Sequence, residues 1–160
     1  MVRLKKQLDN LSNAFNWLAA GAILIMMALT CADVLLRIFR HPIPGTYEIV
    51  GLMGTIGVSF ALAYTTAQKG HITVEFLTDK MPKKARLMIV TVGEFFSTVL
   101  FGILAWQGIL YAMDLKQTGE VSLTVEIPVY PFVFGIAIGC MLTCLVLATD
   151  FYKSLKRIMT

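Results

Sequence analysis

"LIMMALTCADVLLRIFRHPIPGTYEIVG", residues 24–51, begins as a run that crosses a bilayer and then admits Asp33, Arg37, Arg40 and Glu48. Asp33 and Arg37 are four apart with the acid first, which on a helix sets them on one face in the favourable orientation. Beside hydrocarbon each neutralises the other, and near a helix end both can snorkel toward water. Glu48 opens the next apolar run, where an acid complements the positive end of the helix dipole. The short turn through Pro42 and Pro44 brings it back toward Arg37. Asp33, Arg37 and Glu48 are therefore expected to form an ionic latch joining the first two spans. Direct contact with a partner or substrate is the other reading of the same charges.

The rest of the chain fixes the solvent around that stretch. Of 160 residues, 57% are hydrophobic and 15% charged, against about 25% charged in ordinary soluble domains. Apolar runs long enough for the ~20 residues a bilayer core requires lie at about 14–36, 47–68, 87–113 and 127–149. The expected fold is all-α and integral to the membrane, a single domain over 1–160 with four transmembrane helices. The N-terminal tail, the 69–86 connection and the C-terminal tail hold eleven of the 14 Lys and Arg. By the positive-inside rule both termini are then cytoplasmic and the two shorter connections lie outside.

Two segments have the mixed pattern of short amphipathic helices lying on the inner membrane surface. Before span one, Leu4, Leu8, Leu11 and Phe15 recur at helical spacing beside Arg3, Lys5 and Lys6, although the same residues also suit a longer first span. "HITVEFLTDKMP", residues 71–82, sets Ile72, Val74, Phe76 and Leu77 among His71, Glu75 and Asp79, and is expected to be a short helix stopped before Pro82.

Small residues supply packing surfaces. Gly51, Gly54 and Gly57 recur every third position in span two, and Gly135 and Gly139 form a GxxxG arrangement in span four. Such stripes let another backbone approach closely, and two of them in so small a protein suggest a subunit interface as well as internal contact. Glu94 lies seven residues beyond the start of span three and needs a partner or a proton. An intramembrane acid marks an ion pathway in some proteins, so a small homo-oligomeric proton-coupled exporter using Glu94 is the alternative function. Arg40, Asp114, Lys116 and Glu120 lie at the outer rim and are candidates for contact with a partner outside the membrane.

Other classes find no support in the residues. His41 and His71 stand outside the spans, so no axial haem ligand is available within them. Cys31, Cys140 and Cys144 all fall in apolar runs and read as packing residues. No nucleophile–base set, phosphate-binding loop or metal-spaced cluster is present, which predicts no enzymatic activity, no cofactor and no metal. The net charge of +4 is spread through the connections without the aromatic interleaving of a nucleic-acid groove.

"ADVLLRIF…PIPGTYEIVGLMGTIGVSFALAYTTAQKGHITVEFL" followed by "SLTVEIPVYPFVFGIAIGCML" resembles the small, four-span DctQ-type membrane subunit of tripartite ATP-independent periplasmic (TRAP) transporters. The resemblance is carried by the Asp33/Arg37 end of span one, Glu48, the "GHITVE" stretch and the Ile127–Pro128 entry to span four, in that order. It implies a prokaryotic inner-membrane protein partnered by a large multi-span permease subunit and a periplasmic substrate-binding protein. It further implies uptake of an organic anion such as a carboxylate, by symport with an ion, commonly sodium. In such systems the small subunit braces the large one and helps to dock the binding protein.

Overall fold

The computed structural model describes the backbone of residues 2–68 and 83–159 and the side chains of residues 10–68 and 87–156. Within them the chain forms α1 (Val2–Ile38), α2 (Thr46–Ala67), α3 (Lys83–Thr118) and α4 (Tyr130–Met159). Each contains a stretch long and apolar enough to cross a membrane. The burial pattern agrees with a lipid solvent. Buried apolar positions are mostly small, among them Ala19, Ala22, Ala63, Ala112 and Ala137, while Trp17, Leu24, Phe96, Ile103 and Trp106 face outward. In hydrocarbon, burying a leucine gains little, and helices associate through the close contact that small residues allow.

α1 is one continuous helix of 37 residues. The amphipathic N-terminal stretch therefore extends span one and is not a separate surface helix. α3, with 36 residues, runs five residues past the expected limit at 113, to Thr118, and is about 54 Å long at 1.5 Å per residue. The expected surface helix over 71–82, with His71 and Glu75, lies outside the described residues.

The helices form an open row in the order α1, α2, α4, α3, and α3 rests almost wholly on α4. A closed four-helix bundle would pack each helix against two neighbours around a shared core. α1 and α2 run antiparallel, with Gly57 facing Ala19, Ala22 and Ile23, Gly54 facing Met26, and the Phe15 and Phe60 rings 4.5 Å apart. α2 and α4 run parallel, with Gly135 against Ile56 and Gly139 against Ser59. α3 and α4 run antiparallel through Gly108 and Ala137, Gly102 and Cys144, and Phe95 and Phe151. Both chain ends consequently lie at one end of the row. The 39–45 and 119–129 connections lie at the other, here called the loop end.

Candidate functional site

At the loop end α1 closes with a left-handed residue. The His41 N–H donates to the Leu36 carbonyl at 3.0 Å and the Arg40 N–H to the Arg37 carbonyl at 3.1 Å, with Arg40 at φ 62°. This is the Schellman arrangement that usually takes glycine. α3 ends in a related way with Gly119 at φ 69°, where the Gly119 and Glu120 N–H groups both donate to the Leu115 carbonyl.

The stop after Ile38 places Asp33 beneath the proline turn. Asp33 is buried, only 4% exposed. Arg37 Nε donates to its Oδ2 at 2.7 Å, and the Ile43 backbone N–H donates to its Oδ1 at 2.9 Å. The Thr46 hydroxyl donates to the Ile43 carbonyl at 3.0 Å, tying the turn to the first residue of α2. The Arg37 guanidinium lies 5.2 Å from the centre of the Tyr47 ring, within cation–π range. Asp33 thus binds the end of α1 to the entry of α2 through a backbone amide as well as through its ion pair.

Glu48 does not join this cluster. Its carboxylate accepts a hydrogen bond from the Ser122 hydroxyl, one from the Thr124 hydroxyl at 2.7 Å and one from the Thr124 N–H at 3.1 Å. The expected three-membered latch is corrected to two separate devices: an Asp33–Arg37 clamp between α1 and α2, and a Glu48 clasp between α2 and the α3–α4 connection. Three donors converging from one short segment satisfy the carboxylate more fully than a guanidinium already engaged by Asp33. Gly45, at φ 76° before α2, has no Cβ to strike the Val125 side chain, so the connection seats closely over the α2 entry.

That connection is itself folded. The Ser122 N–H donates to the Ile127 carbonyl at 2.9 Å, the Glu126 N–H to the Ser122 carbonyl at 3.2 Å and the Val129 N–H to the Glu120 carbonyl at 3.4 Å. Val121 and Pro128 pair across it in antiparallel fashion. Arg40, Asp114, Lys116 and Glu120 are all exposed at this end.

The glycine stripes are used mainly inside the subunit. Gly54 and Gly57 face α1, while Gly135 and Gly139 face α2, the internal helix packing expected of these stripes. Gly51 alone of the five has nothing within 4 Å of the space a Cβ would fill. Glu94 neighbours Phe95, whose ring is 5.7 Å from that of Phe151, between Asp150 and Lys153. The middle of the α3–α4 contact is Gly102 against Cys144. Glu94 therefore lies on the chain-end side of the Gly102–Cys144 contact, within the apolar Leu87–Thr118 stretch.

Sequence reasoning missed Ser122, Thr124, Tyr47 and the Ile43 amide. A polar–apolar alternation at Val121–Ser122–Leu123–Thr124 was the available signal for the first two.

A model of the family described as tripartite ATP-independent periplasmic transporters, DctQ component, matches residues 26–157. The chain belongs to this family. It is a small membrane component of a transporter, and the family is not one of enzymes. The match takes in the Asp33–Arg37 clamp, the Glu48 clasp, α2 and α3 entire and all but the last two residues of α4. Comparison with curated proteins and with solved structures found no match.

Proposed function

We propose that this DctQ component is a scaffold that moves no substrate itself. It braces a large permease subunit in a prokaryotic inner membrane, with both termini cytoplasmic, and presents its loop end to a periplasmic substrate-binding protein. The observation that carries this reading is the state of the polar groups within the spans. The hydroxyls of Thr30, Thr55, Ser59, Thr66, Thr91, Thr98 and Thr143 each donate to a carbonyl three or four residues back on their own helix. A translocation site near the membrane midplane needs polar groups turned toward a common point and unwound helix segments. These hydroxyls are turned inward on their own backbones, and the spans are unbroken.

The cargo of the assembled transporter is an organic anion, a carboxylate by the family resemblance, driven by a sodium gradient. The excess of basic residues at the chain ends supports the cytoplasmic assignment of the termini. Reconstitution tests the reading: vesicles holding this chain alone show no sodium-driven uptake of organic anions, and vesicles with the cognate large subunit and soluble binding protein do. Uptake by the isolated chain overturns it.

A further inference from the structure

Arg37 is fixed in position with most of its hydrogen-bonding groups unused. Its Nε donates to Asp33 at 2.7 Å and its guanidinium lies 5.2 Å from the centre of the Tyr47 ring, yet among the described residues nothing accepts from its two Nη groups. The side chain is 44% exposed, and Tyr47 is exposed beside it. A guanidinium held in this way suits a phosphate, which takes two parallel N–H bonds. Its level in the membrane is also that of a phosphate. α2 has 22 residues and is about 33 Å long at 1.5 Å per residue, so its ends stand just outside a hydrocarbon core of ~30 Å. Tyr47 is the second residue of α2, and Arg37 the last but one of α1.

Below the guanidinium runs a shallow channel. Arg37, Val34 and Thr30 follow one another down α1 at intervals of three and four, Tyr47, Gly51 and Thr55 follow down α2 at intervals of four, and all six are exposed. Because Arg37 and Tyr47 meet, the two stripes lie on one side of the antiparallel pair. Nothing stands within 4 Å of the space that a Cβ on Gly51 would fill, so the wall of α2 is recessed there. The Thr30 and Thr55 hydroxyls donate to the Met26 and Leu52 carbonyls at 2.8 Å, which leaves no unsatisfied donor along the channel.

A cation at the membrane surface with an apolar channel beneath it follows the vertical order of a phospholipid. A protein neighbour is called for where a polar group is left inside hydrocarbon, and this channel has none. Such a group stands on the α3 edge of the row. Gln107 is exposed beside Gly108, which packs on Ala137, two residues beyond the Gly135 that meets Ile56 at the middle of α2. Hydrocarbon gives that carboxamide no partner, whereas the α1–α2 channel needs only what lipid supplies. We propose that Arg37, with Tyr47, binds the phosphodiester of a membrane phospholipid in the leaflet at the loop end, with one acyl chain lying along the channel over Gly51. This goes beyond the scaffold reading and does not depend on what the assembled transporter carries.

The test is a titration of the detergent-purified full chain with dioleoylphosphatidylglycerol, read as bound lipid by native mass spectrometry. Dioleoylglycerol, which has the same chains and no phosphate, binds at least about tenfold more weakly, the scale of one charge-assisted hydrogen bond. Inorganic phosphate does not displace the phospholipid. Gly51→Leu fills the channel, leaves the Asp33–Arg37 pair intact and weakens phospholipid binding by a similar factor, while Gly93→Leu, at an equally open position on α3, leaves it unchanged. Arg37→Gln removes the preference for the phospholipid over dioleoylglycerol. Because Gly51→Leu keeps the clamp, it tests the site even where Arg37→Gln lowers the yield of folded protein. Equal binding of the two lipids, or displacement by inorganic phosphate, overturns the phosphodiester contact. A Gly51→Leu titration that coincides with the unaltered chain, or an equal loss in Gly93→Leu, overturns the channel, since the lipid then belongs to the general annulus.

Discussion

Gly139 on α4 lies so close to Ser59 on α2 that a Cβ at Gly139 would stand 2.7 Å from the Ser59 carbonyl oxygen. The obstacle is backbone, which cannot swing aside as a side chain can. α2 and α4 join the α1–α2 hairpin to the α3–α4 hairpin, so this contact sets the spacing of the whole row. Gly139→Ala is expected to destabilise the protein by about 1–3 kcal/mol, as overpacking does, and Gly139→Leu by more. Thermal unfolding in mild detergent measures both. Gly51→Ala, with open space around it, is expected to leave the melting temperature unchanged or slightly raised, since alanine is the better helix former.

Removing Asp33 should cost more than removing Arg37, although the two form one ion pair. Arg37 is half-exposed and returns to water when its partner is lost. Asp33→Ala also strips the Ile43 N–H of its acceptor. The expected order of melting temperatures is unaltered chain, then Arg37→Ala, then Asp33→Ala, with the double variant close to Asp33→Ala. A double variant as stable as the unaltered chain would mean that the amide contributes nothing.

The Glu48 clasp predicts a graded series. Glu48→Ala leaves the Ser122 hydroxyl, the Thr124 hydroxyl and the Thr124 N–H without their acceptor, and frees the 119–129 connection from α2. Glu48→Gln keeps one carbonyl oxygen and should retain part of the order. Hydrogen exchange of the Thr124 amide reads this directly: fastest for Glu48→Ala, intermediate for Glu48→Gln, slowest in the unaltered chain.

Arg40 holds a left-handed conformation that costs a residue with a Cβ about 1–2 kcal/mol. Arg40→Gly is expected to raise the melting temperature, whereas Arg40→Ala keeps the cost and is not. If Arg40 also lies on the charged rim, the stabilised Arg40→Gly complex should bind the soluble component with weaker dependence on salt. Binding measured at two ionic strengths checks this.

Some features of the protein are written locally in its sequence. The four spans can be read because a bilayer demands long apolar runs that satisfy their own backbone. Asp33 and Arg37 meet because positions four apart on any helix share a face. The stop at the proline turn and the glycine before Thr46 are local in the same sense. The order of the helices could not be read this way, because the apolar flanks of four membrane helices are chemically alike and only the fit of small residues between particular pairs chooses neighbours. That choice turned Gly54, Gly57, Gly135 and Gly139 inward on the subunit itself. It also brought Glu48 to Ser122, 74 residues away along the chain, instead of to the nearer Arg37. A carboxylate takes the donors that packing brings to it, and which donors arrive is decided only when α2 and α4 come together.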